Sequence, residues 1–440
     1  MSDLTTPYRC GMLRACCLAL LVVLAATLPN AAHPSAAAIR SDITVDTTWT
    51  RANSPYLITT TVTVAQQATL TVEPGVEARF SPSAALIVAG GLAMPGSQSQ
   101  PISLVGVATQ GWLGVELRRP SADVLLQSVT ISGAATGVRI QQADGSGTPK
   151  ANVTIVDSLI RANTIGIAIG NTVADGAPKV SLRNSLFTGN GTALLVTQAQ
   201  QSKIKFDHNS FVGNGLGVQA VSGSLKLKHQ WWGSELGPLD ASGCVALALG
   251  RLDLRDAVCG LDPKDYKGWT MVPAGRVLLP AGKATKLESA VGTGVSADDP
   301  DAPTSVLTLT VATATFTQPV DLSVSRRALA ELPGGLAEAT TEIGFEITAI
   351  AGAQAVHSFA NNTALEVDIT YLLADLAGVD PAVLGVVAYD EARGIWSRAG
   401  IRTRVDLASQ QITARLDHLT RFSVRSVEGY SDVALPLVTR

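Results

Sequence analysis

Two short runs in the first half of the chain hold the residue types best suited to chemistry: Ile204-Lys-Phe-Asp-His-Asn-Ser-Phe211 and Leu225-Lys-Leu-Lys-His-Gln-Trp-Trp232. Aligned on each other, they set Asp207 beside Lys228 and His208 beside His229. A carboxylate, an ammonium and two imidazoles on adjacent strands are the parts of an acid–base pair or of half a metal site. Two histidines without a third ligand make a poor zinc site, so no metal or other cofactor is expected. Asp207 with Lys228 also fits an ordinary cross-strand ion pair, worth about 0.5 kcal/mol on an exposed face. Trp231, Trp232 and the more distant Trp112 offer flat apolar faces that either stack on sugar rings or cap the open end of a sheet. The candidate ligand-binding residues are therefore Trp231, Trp232, Asp207, His208, His229 and Lys228, and no catalytic residue is assigned.

The compartment follows from the N-terminus and the cysteines. Arg9 and Arg14 precede an apolar run, Leu18 to Leu28, which is followed by the small-residue triplet Ala36-Ala37-Ala38. That order is the pattern of a signal peptide over residues 1–38, cleaved near Ala38; the run is short for a membrane span, and none is expected after cleavage. The expected location is secreted or cell-surface. Three of the five cysteines, Cys10, Cys16 and Cys17, leave with the signal, so Cys244 and Cys259 remain as a pair in an oxidising compartment and are expected to form a disulfide. The net charge of −3, with no clustered Lys and Arg, gives no electrostatic case for a nucleic-acid partner.

What positions these side chains is a repeat. Val124-Leu-Leu-Gln-Ser-Val-Thr-Ile131, Val153-Thr-Ile-Val-Asp-Ser-Leu-Ile160 and Val180-Ser-Leu-Arg-Asn-Ser-Leu-Phe187 share a template with the two runs above. The anchors Ser128, Ser158, Ser185, Ser210 and Trp231 are spaced 30, 27, 25 and 21 residues apart. Small turns containing Gly and Asn follow the anchor in the middle copies, and then a third short strand such as Ile167-Ala-Ile169 or Leu194-Leu-Val196. Such a period, without helical segments, predicts a solenoid whose coils bury their apolar faces only by stacking. Alignment on the anchors predicts an inner file of Val129, Leu159, Leu186, Phe211 and Trp232, and a polar ladder of Gln127, Asp157, Asn184, Asn209 and Gln230 at the bend.

On these residues the chain resembles the right-handed parallel β-helix repeat proteins exported by bacteria, which share the pectin-lyase-like fold. The resemblance covers roughly residues 43–235, and the β-helix is expected over 43–238. It includes entry coils (Ser54 to Val64 and Ala68 to Val76, with the turn Glu73-Pro-Gly75) and a closing Trp231-Trp-Gly-Ser-Glu-Leu-Gly-Pro238. The handedness rests on this resemblance and on the general preference of parallel crossovers. The resemblance also implies where glycan-cleaving members keep their carboxylates, on outward positions of adjacent coils. Their signatures are missing here: there is no Gly-His-Gly, and Arg118-Arg119-Pro120 is the nearest approach to an Arg-x-Pro loop. Without a carboxylate pair, glycan cleavage lacks its main catalytic terms.

Residues 239–284, which hold both cysteines, read as a cap or linker. From 285 to 426 the rhythm changes to alternating strands, among them Ser305 to Val311, Val320 to Val324, Glu342 to Thr348, Leu365 to Tyr371, Leu384 to Tyr389 and Gln411 to Leu416. Turn residues between them predict an antiparallel β-sandwich. The segments Thr308 to Val324 and Tyr389 to Val424 resemble the ZU5-like sandwich domains of bacterial surface proteins. Asp298-Asp-Pro-Asp301 reads as a polar loop, although its carboxylates have the hardness calcium prefers. His418 is expected as a packed, hydrogen-bonded residue, and 427–440 as a tail.

The fold class is thus all-β, a parallel β-helix followed by an antiparallel sandwich. The expected role is adhesion or polysaccharide binding at the cell surface, without catalysis and with an extracellular polysaccharide or surface structure as partner. Two other roles stay open: a polysaccharide lyase or glycoside hydrolase with an atypical site on the outer face of the helix, and a structural envelope protein.

Overall fold

A computed structural model describes residues 37–427 and the strand 437–439, apart from short segments of which 142–150, 171–178, 293–303 and 333–339 are the longest. The apolar run of the expected signal and the Asp298–Asp301 loop lie outside the described residues. The expected cleavage point at Ala38 falls inside the first strand, Ala37–Ile39, which pairs in parallel with Tyr56–Ile58.

The first unit is a parallel β-solenoid with three faces, sheets of eight, nine and seven strands. One coil consists of Val153–Val156, Leu159–Arg161 and Ile165–Ile169, and the next repeats it as Val180–Arg183, Leu186–Thr188 and Thr192–Val196. Each strand pairs in parallel with its counterpart one coil away, so side chains stack in files along the axis. Within one file Ile131, Ile160, Phe187 and Phe211 follow each other in register. Trp232 closes it, its ring stacked 4.9 Å from Phe211, which in turn lies 4.9 Å from Phe187.

The bends explain the polar residues. Ser128, Asp157, Asn184, His208 and His229 occupy one position of successive coils, and all have left-handed backbone, with φ of 49°, 54°, 47°, 47° and 58°. Asn, Asp and His tolerate this conformation better than most side chains, which accounts for the residue types in that column. The next residue of each coil forms the ladder. The N–H of Val129 donates to Ser158 Oγ (3.1 Å), Ser158 N–H to Ser185 Oγ (3.2 Å), Ser185 N–H to Asn209 Oδ1 (3.1 Å) and Asn209 N–H to Gln230 Oε1 (3.0 Å).

The expected files are corrected by this geometry. The anticipated ladder mixes three columns: Gln127 is in register with Val156, while Asp157 and Asn184 are bend residues, and only Asn209 and Gln230 belong to the ladder. Leu159 and Leu186 pair with each other but not with Phe211; they are 5% and 3% exposed yet stand outside the solenoid core. One-residue slips at the anchor cause both errors: serine is a bend residue at 128, a ladder residue at 158 and 185, and at 210 it stands one place beyond the ladder residue Asn209.

A second ladder runs along the next bend. The N–H groups of Ala134, Asn163, Asn190 and Asn214 donate in turn to the side-chain oxygens of Asn163, Asn190, Asn214 and Asp256, at 2.9, 3.1, 2.9 and 2.8 Å. All four acceptor side chains are buried. Beyond Pro238, the strands Leu239–Asp240 and Ala257–Cys259 add to the nine-stranded sheet, so the expected linker carries part of the solenoid. The Cys244–Cys259 disulfide ties this segment down, its Cα atoms 5.2 Å apart.

The second unit has two antiparallel sheets around its own core. The strands Val306–Val311, Val320–Arg326, Leu365–Thr370, Leu384–Asp390 and Gln411–Leu416 stand where alternation placed them, and Thr340–Ala351 is longer than expected. The first strand, Arg276–Leu279, begins ahead of the boundary at 285.

The Asn ladder yields a direct test. Asn190 accepts from Asn163 and donates through Nδ2 to Ile160 O (2.9 Å) and to Asn214 Oδ1 (2.9 Å), so truncation leaves several buried groups unpaired. Asn190→Ala is expected to lower unfolding free energy by about 2 kcal/mol or more, read from the denaturant midpoint, against under about 0.5 kcal/mol for an exposed control position.

Candidate functional site

The bend column Asp157, Asn184 and His208 is covered by the second unit. Ser210 Oγ donates to Ala274 O (2.7 Å) and accepts from Ala274 N–H (3.0 Å). Gly275 lies so close to Asn184 that a Cβ would come within 2.7 Å of its Cα. Arg276 donates to Asp157 O (3.2 Å) and pairs with Asp321 at 2.6 Å. Ser289 Oγ reaches Asn184 Oδ1 at 3.4 Å.

His208 sits at the centre of this contact. Its Nδ1 is 2.6 Å from Asp207 Oδ1 and its Nε2 is 3.5 Å from Glu288 Oε1, with the imidazole 3% exposed. Burial pushes its pKa down, but the two carboxylates outweigh burial and hold it at about 10. Burial raises the Asp207 carboxyl, yet the His208 charge and hydrogen bond leave it below the usual carboxylate range. An imidazolium can donate from both nitrogens at once, which is the arrangement seen. The expected neighbour of His208 is present, with the His229 ring centroid 5.6 Å away. His208 and His229 stand side by side, with His208 in a joint between the units instead of on an open face.

The tryptophans divide. Trp232 and Trp112 are fully buried, stacked on Phe211 and on Phe80 (4.0 Å), and neither offers a face to a ligand. Trp231 is half-buried and bridges to Ser210, and Lys228 and His229 are half-buried beside it.

A cleft lies elsewhere, on the sheet of the second unit that holds Thr340–Ala351, Leu384–Asp390 and Arg421–Ser426. It encloses about 630 Å³, and Ser99 of the solenoid reaches its edge. A ligand pocket of this size suits a small molecule or a few sugar units. Tyr389, His357, Asp417, His418 and Arg421 line it. The Tyr389 ring is 5.3 Å from Trp396, over which Arg425 stacks at 4.2 Å. His418 is the correction here: it is not packed away but 38% exposed, with Nδ1 2.6 Å from Asp417 Oδ1. Arg421 approaches Glu346 and Glu391 at 3.9 Å each, distances that leave its charge loosely held. Carboxylates and a guanidinium on the wall of a cleft bond hydroxyl groups in both directions, and an aromatic face packs on the C–H side of a ring. The sequence signals for this site were Tyr389 and Asp417, within a segment that carries a domain resemblance, and His418, expected as a packed residue. Among the described residues no group of three or more His, Cys, Asp and Glu is arranged to hold a metal ion.

No family model matches the chain, and neither the curated proteins nor the solved structures contain a match to it.

The joint makes a pH-dependent prediction. His208 is charged in the folded state up to about pH 10, whereas an unfolded histidine loses its proton near 6.5. Its stabilisation is full below about pH 6.5 and fades as pH rises toward 10. The lowered Asp207 acts oppositely: its contribution holds above the ordinary Asp value and is lost as acid protonates it. His208→Gln is expected to cost about 3 kcal/mol at pH 6, because it leaves buried carboxylate unpaired. Chemical denaturation from pH 6 to pH 10 should show the wild type losing stability along a slope that the variant lacks.

Proposed function

We propose that the protein acts outside the cell as a rigid surface rod that binds polysaccharide without cleaving it. The observation that carries this reading is the cleft on the second unit, about 630 Å³, where an aromatic ring, two histidines and groups of both charges converge. The stacked solenoid agrees with a rigid scaffold for such a cleft. The disulfide agrees with an oxidising location. Expected export, the pectin-lyase-like and ZU5-like likenesses and the sugar ligand all belong to this proposal.

A glycan array followed by titration tests it. Tyr389→Ala and Asp417→Asn are each expected to weaken binding of a glycan hit at least tenfold, which is about 1.4 kcal/mol. Trp231→Ala is expected to leave that binding intact; loss there and not in the cleft would move the site to the end of the rod. The Asp417–His418 pair is the one feature that favours the rival hydrolase or lyase reading. Reducing-sugar release or a new ultraviolet absorbance from the same glycans, abolished by His418→Ala, would establish that rival instead.

A further inference from the structure

Four arginines meet where the solenoid and the second unit touch, and they are not alike. Arg276 pairs with Asp321, and Arg327 with Glu346. Arg183 and Arg326 have no such partner: among the described residues neither guanidinium closes a hydrogen bond or an ion pair, and Arg326 Nε is buried without an acceptor. Both line a pocket of about 140 Å³ between Val180–Arg183 of the solenoid and the end of Val320–Arg326 of the second unit. The Glu331 carboxylate at its wall is engaged by the backbone N–H of Ala328 at 3.2 Å. Asp157 lines the same space, is 2% exposed, and its Oδ1 has no hydrogen-bond partner. Gln127 and Thr154 complete the polar wall.

A buried donor without an acceptor costs about 1–3 kcal/mol. Burial lowers the Arg326 pKa and the neighbouring charge of Arg183 lowers it further, against the pull of Asp375, Glu331 and Glu342. Burial also raises the Asp157 carboxyl, against the pull of Arg327 and Arg183. What Arg326 Nε lacks here is an acceptor. We propose that this pocket binds an oxyanion, held by the forked donors of Arg183 and Arg326 with the Gln127 amide beside them. Because one arginine comes from each unit, the bound anion clamps the second unit to the solenoid.

The ligand chemistry is shared by free sulfate or phosphate and by the carboxylate of a sugar acid, and calorimetry separates them. The full chain is titrated with sodium sulfate, sodium phosphate and sodium glucuronate at one ionic strength, with chloride as control. At least one is expected to bind saturably and to raise the Tm. Arg183→Gln and Arg326→Gln should each weaken that binding at least tenfold. Heat from glucuronate alone assigns the site to a saccharide acid; heat from sulfate or phosphate assigns it to the inorganic ion. Without any oxyanion, both variants should melt no lower than the wild type, since each removes an unpaired charge. The proposal is overturned if none of the three anions binds saturably, if both variants bind as the wild type does, or if both melt well below it in chloride.

Discussion

The structure depends on satisfying backbone N–H groups at the bends of a coil that has no neighbour on its own level. A strand pairs with the coils above and below it, but a bend turns its amide away from that ladder. Here a side chain from the adjacent coil accepts it: Ser158, Ser185, Asn209 and Gln230 at one bend, and Asn163, Asn190, Asn214 and Asp256 at the next. Each buried amide left unpaired would cost about 1–3 kcal/mol. The ladders thus fix the register in which the apolar residues meet.

The same bends prepare the joint between the two units. A left-handed residue at each coil turns its side chain outward at one azimuth, and this makes a row of Asp157, Asn184 and His208 along the solenoid. The second unit lays its strands along that row, with Arg276, Ser289 and Glu288 meeting one residue each. A requirement of backbone conformation thereby becomes a pattern of recognition.

Much of this was legible in the sequence and some was not. The period, the three strands per coil, the disulfide pair and most strands of the second unit follow from patterning that is local or strictly repeated. The register failed by one residue because serine stands at three different places: at the bend at 128, in the ladder at 158 and 185, and in the following strand at 210. Ser128 and Ser158 look equivalent as letters and differ in role. The docking of His208 against Glu288 was invisible because it joins segments from different repeats and different folds, with no period to reveal it. Tyr389, Asp417 and His418 were readable as strand and turn positions only, since a cleft depends on which loops end up side by side. Trp232 was open to two readings, and burial decides for the cap.

The row of side-chain amides that begins at Asn163 stops at Asp256. An amide both takes and gives, so each asparagine can pass the pattern to another level; a carboxylate takes the N–H of Asn214 at 2.8 Å and, when ionised, has no proton to hand on. The series therefore has a last member set by functional group, one oxygen standing where each earlier level has a nitrogen.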